Sequence, residues 1–84
     1  MNDGEILNII VKALKLEALS KPDEKIYIGS RVYTYREFAG MLNDRRRLDK
    51  TDRRFVESFL KASVKMFKKD QSFRERILKL TGEE

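Results

Sequence analysis

Apolar residues recur at helical spacing near the start of the chain and cover more than half of the helical wheel. Ile6, Leu7, Ile9, Ile10, Val11, Ala13, Leu14, Leu16 and Ala18 form that set, leaving Asn8, Lys12 and Lys15 as a narrow polar stripe. The pattern predicts a helix from Asp3 to about Leu19, with Asp3 as its N-cap and Glu5 in the first turn, where the helix dipole favours negative charge. An apolar stripe about 100° wide is enough to seat a helix on one core. The excess predicts either burial between several elements or a second interface, and Ile9 and Leu16 are the candidate positions for a homodimer seam.

The helical pattern stops at Ser20, Lys21, Pro22 and Asp23, because proline cannot continue a helix and biases its predecessor toward extended geometry. Two β-prone runs follow, Ile26 to Ile28 and Arg31 to Tyr33, joined by Gly29 and Ser30. Glycine at the first turn position suits a type II′ hairpin. Ile26 and Ile28, joined by Val32, form its expected packing face, and Tyr27 and Tyr33 its expected exposed face. Thr34 with Glu37 spells a capping box, opening a helix that carries Phe38, Met41 and Leu42 on one side and ends near Asn43 or Asp44.

Asp44 to Lys50 reads as a charged loop anchored only by Leu48, after which Asp49 or Thr51 caps a long helix. At about 100° per residue, Arg54, Lys61, Lys65, Lys68 and Lys69 fall within one arc of that helix. Phe55, Val56, Phe59, Leu60 and Phe67 occupy the other side. Ser72 with Glu75 forms a second capping box, for a last helix with Phe73, Ile77 and Leu80 on one face and Gly82 at its end. The predicted fold is therefore mainly α: a small four-helix domain with one short β-hairpin between helices 1 and 2. Residues 1–84 form one compact domain in this reading, with 81–84 as a frayed tail.

Composition narrows the chemistry. The 84 residues contain neither cysteine nor histidine, which removes disulfides, thiol nucleophiles, imidazole bases and His or Cys metal sites. Asp49 and Asp52 alone lack the ligand count of a cation loop, and four scattered glycines make no phosphate-cradling loop. No catalytic residue, metal site or cofactor is predicted, and the expected class is non-enzymatic. The first residues lack a secretory signal and no apolar run approaches a membrane span, so the expected location is cytoplasmic. Charged residues make up 39% of the chain and glutamine occurs once, a balance that also suits a thermophile.

A formal charge of +5 makes anionic partners easier to approach. The Lys/Arg arc is segregated by sign, with only Glu57 at its margin, whereas a merely solubilising face usually mixes its charges. DNA or RNA is the expected partner. Arg45, Arg46, Arg47, Arg53, Arg54, Lys61, Lys65, Lys68 and Lys69 are the candidate phosphate contacts, and Tyr27 and Tyr33, beside Arg31 and Arg36, are candidates for base stacking. A solvated helix face and cross-strand aromatic packing explain the same residues without a ligand. The alternative functional class is a protein-interaction adaptor or assembly subunit using the broad apolar face of the first helix, with the basic ridge docking an acidic protein.

The segment from Val32 to Ala39, Val-Tyr-Thr-Tyr-Arg-Glu-Phe-Ala, resembles the opening motif of adenylate-forming enzymes, where a strand also runs into a Thr-capped helix. It covers under a tenth of the chain, and that family's glycine-rich phosphate loop is absent. What the two share is strand-to-helix capping chemistry, and no adenylation residue carries over. Thr34 to Leu42 also looks like the first helix of a helix-turn-helix. Twelve residues separate Leu42 from Phe55, however, against about 3 to 4 in the usual turn.

Overall fold

The computed structural model describes residues 1–83 of the chain. Helix α1 spans Asp3–Ser20, strands β1 and β2 span Lys25–Ile28 and Arg31–Thr34, and α2 spans Tyr35–Asn43. A single 3-10 turn, Arg45–Arg47, leads into α3, Lys50–Lys69, and α4 closes the chain at Gln71–Thr81. Four helices with one antiparallel hairpin between the first two is the architecture predicted from the periodicity.

The breadth of the α1 apolar face is explained by its neighbours, since it packs against α2, α3 and α4. Ile6, Ile9, Ile10 and Ala13 are buried, and Leu7, Val11 and Leu14 pack partly buried against the core. One surface therefore serves three partners, and Ile9 is only 9% exposed within the single chain. The cap of α1 is Asn2 rather than Asp3. Asn2 Oδ1 accepts from the Glu5 amide at 2.9 Å, and the Glu5 carboxylate accepts from the Asn2 amide, completing a capping box on the residue before the predicted cap.

Phe38 lies at the centre, 1% exposed, with the Tyr33 and Phe59 rings edge-on at 6.2 and 4.9 Å between centroids. Ile28, Leu42, Val56, Leu60 and Phe67 complete the surrounding layer. Helix α2 begins at the predicted box: the Thr34 hydroxyl accepts from the Glu37 amide, while the Glu37 carboxylate accepts from the Thr34 amide at 2.8 Å. That backbone hydrogen bond, followed by the threonine hydroxyl, holds Glu37 below the ordinary glutamate pKa. The root of the hairpin is stitched to this helix start, because Tyr35 N donates to Glu24 O and Arg36 N to Pro22 O.

Within the hairpin, Ile26 pairs with Tyr33 and Tyr27 with Val32. Cross-strand partners share a face, so Tyr33 joins Ile26 and Ile28 inside while Val32 joins Tyr27 outside. This reverses the expected places of Val32 and Tyr33. Gly29 has φ 59°, the positive value required at the first position of a type II′ turn, and a Cβ there would stand 3.2 Å from the Phe55 ring.

Helix α4 starts at Gln71 because Asp70, not Ser72, accepts from the Phe73 amide. Arg74 reaches back to the carbonyls of Phe67 and Lys68, satisfying the end of α3. Gly82, with φ 74°, terminates α4 in the left-handed conformation. In the described part of the segment predicted to fray, Thr81 is buried, its hydroxyl donates to the Ile77 carbonyl, and the Glu83 amide donates to the Leu78 carbonyl. Glu84 lies outside the described residues.

Candidate nucleic-acid interface

Asp49 caps α3 by accepting from the Asp52 amide at 2.7 Å, and the apolar residues Val56, Leu60 and Phe67 fix which side of the helix meets the core. The remaining side is thereby committed to water. Lys50, Arg54, Lys61, Lys65, Lys68 and Lys69 are all exposed there and share an arc of about 100°. Lys50 is an addition to the sequence-predicted set. Its position, one turn before Arg54 on the same face, was readable once Asp49 was taken as the cap. From Lys50 to Lys69 the rise of about 1.5 Å per residue gives a cationic edge about 28 Å long.

Opposing charge along this edge is sparse. Lys68 pairs with Asp3 of α1, and Glu57 lies at the margin. Among the described residues, Lys50, Arg54, Lys61, Lys65 and Lys69 form no ion pair. Lys61 and Lys65, and again Lys65 and Lys69, stand four residues apart, where like charges on a helix cost about 0.2–0.5 kcal/mol per pair.

The Arg45–Arg47 triplet does not act as one cluster. Arg47 Nε pairs with Asp44 at 3.0 Å. Arg45 instead turns toward the ridge and lines an open groove of about 530 Å³ between the start of α1 and α3, opposite Lys61, Lys65 and Lys68. Leu7, Leu60 and Val64 form the apolar part of its lining, and Asp3 and Glu57 its acidic part. Arg46 is exposed. Arg53 has a structural task, its Nη2 donating to the carbonyls of Leu48 at 3.2 Å and Arg46 at 3.4 Å, so it pins the 3-10 turn against α3. That contact depends on a turn whose shape the charge pattern alone did not reveal.

The hairpin tyrosines separate. Tyr27 is 70% exposed, as a stacking platform requires, and Tyr33 is 8% exposed, with its hydroxyl donating to Asp52 at 3.0 Å. Tyr33 is a core residue and is withdrawn as a stacking candidate. Burial, followed by the hydrogen bond to Asp52 and that carboxylate's charge, raises the Tyr33 pKa above the ordinary tyrosine value, with Arg31 opposing. Arg31 also reaches Asp52, at 3.3 Å, and lies over the Phe55 ring. The candidate seam on α1 divides in the same way: Ile9 packs inside, whereas half-buried Leu16 lines a shallow outward surface beside Val11 and exposed Leu19.

Among the described residues, no group of three or more acidic, histidine or cysteine side chains is arranged to hold a metal ion, and no helix is long and apolar enough to cross a membrane. Comparison with family models, curated proteins and solved structures finds no match to this chain.

Proposed function

We propose that this protein is a small, basic, non-enzymatic nucleic-acid-binding accessory protein that lays the outer edge of α3 along the phosphate backbone of DNA or RNA. The observation that supports this reading is the run of five exposed cations, Lys50, Arg54, Lys61, Lys65 and Lys69, that have no carboxylate partner among the described residues. Adjacent lysines on one helix face repel, so the arrangement works slightly against folding and favours a polyanion. Arg45 and Arg46 extend the contact beyond the helix. Lys68 joins it by exchanging Asp3 for a phosphate, an exchange that costs little because an exposed ion pair contributes only about 0–1 kcal/mol. Contacts of this kind position a backbone and read no base, so the binding is nonspecific in sequence.

Fluorescence anisotropy with labelled duplex and single-stranded oligonucleotides, repeated across salt concentrations, tests the reading. Eight phosphate contacts, from the five unpaired cations with Arg45, Arg46 and Lys68, give a log–log salt slope of about −7 on duplex, equivalent to about a 20,000-fold loss of affinity between 50 and 200 mM salt. The triple replacement Lys61→Glu, Lys65→Glu and Lys68→Glu abolishes binding while leaving the circular dichroism spectrum intact. Equal affinity for the variant and the parent protein would remove the ridge from the interface.

A further inference from the structure

A second cavity, of about 400 Å³, lies on the other side of α3, enclosed by α1, the root of the hairpin, the start of α2 and α4. Its volume is within the range typical of small-molecule sites, about 300–1,000 Å³. Three aromatic side chains line it: Tyr35 from the start of α2, Phe59 from α3 and Phe73 from α4. Ile10, Ala13 and Ile77 contribute aliphatic surface. None of these side chains belongs to the cationic ridge.

The charged groups around this cavity are Lys21, Lys25, Arg76 and Glu17. Lys21 is engaged by Glu17 and Glu24, and its Nζ lies 5.8 Å from the centre of the Tyr35 ring. Glu17 Oε2 is shielded from solvent and lies 2.9 Å from Lys21 Nζ, which holds it in an ion pair. Arg76 lies over Phe73 at 5.5 Å. Among the described residues neither Arg76 nor Lys25 forms an ion pair. The lining therefore combines three aromatic side chains with two cations, Lys25 and Arg76, available to an anion.

We infer that this cavity binds a mononucleotide, its heterocycle among Tyr35, Phe59 and Phe73 and its phosphate on Lys25 and Arg76. Aromatic rings tolerate any base through stacking, and an arginine and a lysine complement the phosphate. The site is independent of the ridge, because its groups face the other side of α3.

The test is a two-dimensional amide NMR titration of the full chain with adenosine monophosphate. Saturable shifts are expected at Tyr35, Ser63 and Ile77, with Kd on the order of 1 mM or tighter. Adenosine without phosphate, and the Lys25→Glu, Arg76→Glu double variant, should each weaken binding at least about tenfold, since losing a charge-assisted contact costs about 1.5–3 kcal/mol. Ser63→Leu, which places bulk into the cavity from α3, should remove the shifts while the protein stays folded. Lys61→Glu with Lys65→Glu should leave them unchanged, whatever becomes of the ridge. No shifts at about ten times the expected Kd, shifts confined to Lys61, Lys65 and Lys69, an equal response to inorganic phosphate alone, or undiminished binding by Ser63→Leu would each overturn the assignment.

Discussion

The hairpin junction and the outer edge of α3 use the same residue types to opposite ends. At the junction, Asp52 Oδ1 accepts from Tyr33 and Arg31, and Arg31 covers Phe55, so each polar group is engaged by a neighbour. On the far side of the same helix, Arg54, Lys61 and Lys65 are exposed and form no ion pair among the described residues. The difference teaches that a cation's role is fixed by whether an acceptor lies within reach in the folded chain. Arg53 and Arg54 are sequence neighbours, yet one pins a turn through two carbonyls and the other is available to a ligand.

Substitutions separate the two regions by size of effect. Phe38→Ala, at the centre of the junction's core, should cost about 3–5 kcal/mol, the usual range for removing a buried aromatic, as measured by urea denaturation. Asp52→Ala should cost about 1–3 kcal/mol because it strands the buried Tyr33 hydroxyl, and a double-mutant cycle with Tyr33→Phe should show most of that cost as coupling. A small loss would mean that water replaces the carboxylate.

The raised pKa of Tyr33 gives the junction a pH signature. The stabilisation from its protonated form is complete below the unfolded tyrosine value near 10.0 and is lost as pH rises through the folded value. Thermal unfolding above pH 10 should therefore show a falling component that Tyr33→Phe lacks. The smallest effect belongs to the ridge and has the opposite sign. Lys65→Glu replaces two repulsive spacings, to Lys61 and Lys69, with attractive ones and should raise stability by about 1 kcal/mol while weakening nucleic-acid binding. A variant that loses stability instead would show that the Lys65 stem packs on the groove it lines.

Much of the architecture was legible because its signals are local. The 3.6-residue spacing of Val56, Leu60 and Phe67, the Thr34–Glu37 box and Gly82 each determine nearby backbone, and the element order follows from them. The misplaced caps have a shared cause: Asn2 and Asp3, or Asp70 and Ser72, are both competent, and the choice depends on how the preceding chain enters the helix. The inward turn of Tyr33 was recoverable, since a two-residue Gly29–Ser30 loop pairs Val32 with Tyr27 and fixes the faces by parity. The Tyr33–Asp52 bond, spanning 19 residues, and the approach of Arg45 to Lys61 were not, because both depend on how the hairpin and the 3-10 turn dock on α3.

The packing of α1 against α4 also shapes how the chain is made. Residues 3–20 leave the ribosome before any of the three helices that cover them, and α4 follows only after α2 and α3. At about 5–20 residues per second, the roughly 60 intervening residues leave Ile6, Ile10 and Leu14 without that cover for about 3–12 s in each round of translation. The nascent chain thus carries an adhesive α1 segment for seconds, and this interval is where misassembly or chaperone capture would act on it.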